Sequence, residues 1–107
     1  LRKDSTEIEE IKADKQPIGK YAAAKSFTTH QKNLEKGDLI YLITDGYQDQ
    51  FGGDKGKKFK AAELKNLLVS ISKETMENQR KKIDLAFETW RGKLEQIDDV
   101  CIIGIRV

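Results

Sequence analysis

The sequence is short of several things. Of its 107 residues one is cysteine, one proline and one histidine, and no apolar stretch approaches the roughly 20 residues that a membrane-spanning helix needs. A lone Cys101 excludes an intrachain disulfide and suits a reducing, cytoplasmic compartment. Set in the apolar run Val100 to Ile105, its thiol is expected to act as a small buried hydrophobe. His30 has no second histidine or cysteine at ligand spacing, so it reads as a surface side chain rather than a metal ligand. No signal-peptide pattern is present. Charge of one sign is missing too: 20 Lys plus Arg against 18 Asp plus Glu leave +2, which gives no pull toward nucleic acid or a membrane surface. With 36% charged and 37% apolar residues, the chain is highly charged yet still able to bury one modest core.

What is present falls into short elements. Residues 1–13 are polar with isolated apolar positions and suit an exposed hairpin or edge strand. Pro17-Ile18-Gly19 is a break, after which a new element is expected. Residues 25–34 partly alternate and predict a half-exposed strand. Gly37-Asp38 turns the chain into Leu39 to Ile43, a continuous apolar run that predicts a central strand covered on both faces. Gly52 to Lys58 reads as a mobile loop. Its neighbouring lysines, Lys55, Lys57, Lys58 and Lys60, form a positive cluster able to attract a phosphorylated partner or simply to be solvated. From Ala61 the period becomes helical, with Leu64, Leu67, Leu68 and Ile71 on one stripe. A second helix, capped by Ser72 or Thr75, carries Met76, Ile83, Phe87 and Trp90 and stops at Gly92. Val100 to Val107 predicts a closing strand inside a sheet. Strands with the two helices grouped together read as α+β.

Two acidic motifs stand at the ends of apolar runs: Asp45-Gly46 after Leu39 to Ile43, and Asp98-Asp99 before Val100. In an antiparallel pair the end of one strand lies beside the start of its neighbour, so carboxylates 53 positions apart can share one rim of a sheet. Oxygen clusters of that kind suit hard divalent cations. The plainer reading is that Asp-Gly makes a turn and Asp-Asp solvates a strand entrance.

Gly37-Asp38-Leu39-Ile40-Tyr41-Leu42-Ile43-Thr44-Asp45-Gly46 and Gln96-Ile97-Asp98-Asp99-Val100 resemble the closing half of the metal-dependent protein phosphatases of type 2C, in the branch of the bacterial SpoIIE-like serine phosphatases. Tyr47 to Gly53, Thr89 to Gly92 and Ala13 to Gly19 are similar to that branch as well. The resemblance implies an antiparallel β-sandwich with flanking helices, of which residues 1–107 are the C-terminal part. It implies hydrolysis of phosphoserine or phosphothreonine on a regulatory protein in bacterial signalling, at two Mn or Mg ions. Carried over by motif, Asp45 and Asp98 hold a metal, and Asp99, where asparagine is common, orients water or its neighbours. The family's early acidic motif and Gly-His-Gly-like turn are not in this sequence. The segment alone is therefore expected to bind metal weakly and to be inactive. Exposure of sheet edge and core surface makes self-association an expectation. A non-catalytic interaction module on the same scaffold is the alternative.

Overall fold

The protein is described by a computed structural model covering residues 1–20, 22 and 25–107. Its elements are β1 (Leu39–Ile43), β2 (Phe51–Gly52), β3 (Lys57–Lys58), α1 (Ala61–Ile71), α2 (Met76–Arg91) and β4 (Ile102–Arg106), an α+β order with two antiparallel two-stranded sheets.

β1 pairs with β4, Leu39 opposite Arg106 and Ile43 opposite Ile102. On the other side of β1, Leu1 exchanges two backbone hydrogen bonds with Leu39, each 2.8 Å. That contact is anchored by Asp38, only 2% exposed. Its carboxylate accepts from the amides of Glu35 and Lys3 and from the Arg2 guanidinium, all at 2.8 Å. These bonds, that of Glu35 foremost, hold the Asp38 carboxyl down at about 2. The Gly-Asp pair before β1 is thus a clasp joining the chain's first residues to the sheet.

Tyr41 and Ile102 pack against the helical core, and Leu39, on the same strand face as Tyr41, is buried. Gly104 makes room on this face: a β-carbon there would approach the flexible Met76 Cε to 2.9 Å and the Tyr41 ring to 3.2 Å. The core gathers Tyr47, Leu64, Leu68 and Phe87, with Tyr41, Phe59, Ile83 and Ile102 packed against it. α1 buries Leu64, Leu68 and Ile71 as its spacing predicts. α2 opens on Thr75, whose hydroxyl accepts from the Asn78 amide at 3.2 Å, and closes on Gly92 at φ 56°. Within α2 the buried Gln79 breaks the apolar stripe. It accepts from the Tyr41 hydroxyl at 2.5 Å and donates to the carbonyls of Ser72 and Glu74, tying sheet, inter-helix turn and α2 together.

Several expectations are corrected. Residues 25–34 form no strand: among the described residues no backbone ladder meets them, and Asp14 and Gln16 side chains take the bonds of Thr28 and Lys25. No described hairpin forms in residues 1–13, whose sheet pairing is confined to Leu1. The element expected after Pro17 falls partly on residues 21, 23 and 24, outside the described residues. β4 pairs only with β1 among the described residues, so it is an outer strand. β1 is covered on one face only. Leu42 is 57% exposed, Ile103 49% and Ile105 46% on the other. Cys101 belongs to that bare face and is exposed rather than buried.

Candidate functional site

The strand pairing continues past Ile43. The Thr44 amide donates to the Cys101 carbonyl at 3.0 Å, and the Cys101 amide donates to the Thr44 hydroxyl at 2.9 Å. Beyond this step Gly46 meets Asp99 directly: a β-carbon on Gly46 would sit 2.1 Å from the Asp99 carbonyl oxygen. Asp45-Gly46 and Asp98-Asp99 therefore occupy the same end of the β1–β4 pair. Gly46 is required by this close approach, whereas the sequence suggested it for freedom of turning; its φ is not positive. Thr44 escaped the sequence reading as a positioning residue, and its signal was a hydroxyl at the last ladder step before Asp-Gly.

The turn after Asp45 is fixed from below. The Asp49 amide donates to the Asp45 carbonyl at 3.0 Å. Tyr47 enters the core, edge-on to Phe59 at 5.3 Å and tilted against Phe87 at 5.1 Å, and its hydroxyl donates to the Ile83 carbonyl at 2.7 Å. Burial pushes the Tyr47 hydroxyl pKa upward, so it stays a neutral donor. Gln50 is fully buried and donates to the carbonyls of Phe51 and Glu95, clamping this turn to the segment that leads to Asp98. In the segment leading to β4, the Asp98 carboxylate accepts from the Asp99 amide at 2.7 Å, and the Asp98 carbonyl accepts from Gln96 at 2.9 Å.

Asp45, Asp98 and Asp99 are all exposed, and no described side chain pairs with Asp45 or Asp99. The carboxylates of Asp45 and Asp99 and the second carboxylate oxygen of Asp98 are open to a hard cation, which fits Mn or Mg by donor chemistry. The donor number is small: among the described residues no group of three or more His, Cys, Asp or Glu converges to hold an ion. His30 lies exposed.

The stretch expected to be a loop forms a short hairpin. Phe51 pairs with Lys58 and Gly52 with Lys57. Gly52 and Gly53 are there for packing, since a β-carbon on Gly52 would fall 1.9 Å from the Trp90 carbonyl oxygen. The Gly53 amide donates to that carbonyl at 2.9 Å, and the Trp90 indole donates to Gln50 O at 2.9 Å. Trp90 is thereby a packing residue beneath the hairpin, edge-on to Phe59 at 5.6 Å.

Comparisons with known proteins agree on one family. The family model described as Stage II sporulation protein E (SpoIIE) matches residues 1–107. Among solved structures, the SiaA-PP2C domain of Pseudomonas aeruginosa is similar at 28% identity with a TM-score of 0.63, covering 64% of this chain. The chain spans 28% of that relative's length. No curated protein matches.

Proposed function

Because the chain belongs to the SpoIIE family, we propose that it is the C-terminal part of a type 2C-like protein serine/threonine phosphatase and contributes Asp45 and Asp98 to the metal centre. The observation that carries this reading is the contact of Gly46 with the Asp99 backbone, which joins the two acidic motifs at one rim. Divalent ions bound at such a centre supply charge neutralisation and a nucleophile at neutral pH. The residues of this chain hold and orient. Asp45 and Asp98 offer anionic oxygens, Asp99 positions its neighbours, and Tyr47 and Gln50 keep the rim from moving.

The low donor count fits a partial site. Two divalent ions a few ångströms apart repel strongly, and several carboxylates are needed to hold them. Further ligands therefore come from elsewhere in the phosphatase domain. The bare face of Leu42, Ile103 and Ile105 supports the same reading, since the second sheet of a sandwich would rest there. In this proposal the substrate is phosphoserine or phosphothreonine on a regulatory protein of a bacterial signalling circuit, and the domain works in the cytoplasm. No helix of the described residues is long and apolar enough to cross a membrane.

Manganese titration of the 107-residue chain tests the donor set. Weak binding of one ion, abolished by Asp45→Ala or Asp98→Ala, is expected. Tight binding of two ions would show that the chain holds a complete centre, and no binding beyond that of the double variant would favour a non-catalytic docking module.

A further inference from the structure

Residues 52–60 contain four lysines against one aspartate, a net +3 that exceeds the +2 of the whole chain. Positive charge is thus concentrated on one hairpin while the remainder is slightly acidic. Lys55, Lys57, Lys58 and Lys60 are all exposed. Lys58 lies 3.7 Å from Asp49 and 5.9 Å from the centre of the Phe51 ring. Among the described residues no carboxylate pairs with Lys55, Lys57 or Lys60.

The platform beneath these lysines is tied down by packing and backbone hydrogen bonds. Gly52 and Gly53 are pressed onto Trp90, the Phe59 amide donates to Gln50 O at 2.9 Å, and the Lys60 amide donates to Gln48 O at 2.8 Å. The same turn carries Asp45, through the Asp49 amide on the Asp45 carbonyl. Basic hairpin and acidic rim are therefore consecutive parts of one anchored structure. A second observation concerns Lys60, which sits at φ 79° and ψ 150°, a region close to that reserved for glycine.

We propose that this hairpin is a docking surface for acidic side chains flanking the phosphorylated residue of the protein substrate. The inference rests on the phosphatase reading above and names the substrate class: an acidic phosphoprotein segment whose carboxylates meet lysines of the 55–60 stretch while its phosphate meets the aspartate rim. Opposite charges on neighbouring surfaces set both the encounter rate and the orientation of such a segment.

The test uses the complete protein that carries this chain, as wild type and as Lys55→Gln/Lys57→Gln/Lys58→Gln. Three substrates are compared with manganese present: p-nitrophenyl phosphate, a phosphothreonine peptide with neutral flanks, and the same peptide with Asp and Glu flanks. Three exposed charge contacts, each modest in water, sum to about one order of magnitude. The triple variant is expected to lose about tenfold in kcat/KM on the acidic peptide, with unchanged turnover of p-nitrophenyl phosphate and of the neutral peptide. Equal losses on all three, or no loss on any, would overturn the proposal. Peptide affinity is measured in parallel by fluorescence anisotropy. A preference for the acidic peptide that disappears in the triple variant supports docking even where no manganese-dependent turnover is found; no preference in the wild type overturns it. If the lysines govern binding of an oligonucleotide or an anionic vesicle and leave peptide binding alone, the proposal is likewise overturned. Wild-type protein without manganese-dependent turnover would overturn the phosphatase reading alone. Lys60→Gly gives an independent check: a higher Tm together with a lower kcat/KM on the acidic peptide is expected, and a higher Tm with undiminished kcat/KM contradicts a docking role for Lys60.

Discussion

Gly46 rests against the Asp99 backbone so closely that a β-carbon would lie 2.1 Å from its carbonyl oxygen. Gly46→Ala must therefore push the Asp45 turn and the Asp99 segment apart. Overpacking against backbone costs about 1–3 kcal/mol, and a fall of that size in unfolding free energy is expected from denaturant titration. Gly56→Asn is the control, since Gly56 has φ 58° with open space around it. Equal stability of Gly46→Ala and wild type would show that the two motifs are not in contact.

Asp38 makes the fold sensitive to acid. Its folded pKa of about 2 lies below that of an ordinary carboxylate at about 3.9. The stabilisation is therefore fully present above about pH 4 and is lost as pH falls through about 2. Asp38→Asn should be less stable at pH 7 and should lose less stability than wild type between pH 4 and pH 2. Urea midpoints across that range check the prediction; parallel curves for the two proteins would contradict it.

Lys60 at φ 79° carries strain that glycine relieves. Such a conformation costs of order 1–3 kcal/mol, and glycine gives back about 0.5–1 kcal/mol in unfolded-state entropy. A net stabilisation of about 1 kcal/mol by Lys60→Gly is expected from thermal or denaturant unfolding. Destabilisation would contradict the strained backbone.

Gln79, 1% exposed, has every polar atom engaged by Tyr41, Ser72 and Glu74. Gln79→Ala leaves the Tyr41 hydroxyl without its acceptor at 2.5 Å. A loss of about 1–3 kcal/mol follows for a buried group stripped of its partner. A double-mutant cycle with Tyr41→Phe should show strong coupling; additive effects would mean the bond contributes nothing.

Much of the fold was legible from residue spacing. Leu64, Leu68 and Ile71 mark α1 by period, and Thr75 and Gly92 bound α2 by their cap chemistry. Residues 25–34 misled because alternation states only that a segment is able to pair, while Asp14 and Gln16 supply its bonds locally. The glycines at 52 and 53 looked like signs of mobility, yet they answer to Trp90, 38 and 37 positions away in sequence. Cys101 and Leu42 belong to an apolar run whose composition does not tell whether a second layer is present to cover it. As for the site, antiparallel geometry is enough to bring residues 45 and 99 to one rim. Two short acidic motifs do not reveal how many oxygens converge there, because that depends on chain far away in sequence.

The central claim is that Asp45 and Asp98 serve one metal centre that hydrolyses phosphoserine or phosphothreonine. A manganese-dependent phosphatase assay of the complete protein, with Asp45→Ala and Asp98→Ala introduced in turn, tests it most directly. Each variant is expected to lose about 100-fold or more in turnover, as removal of an anionic support from a metal site does, with Tm within a few degrees of wild type. Undiminished turnover in both variants would contradict the account.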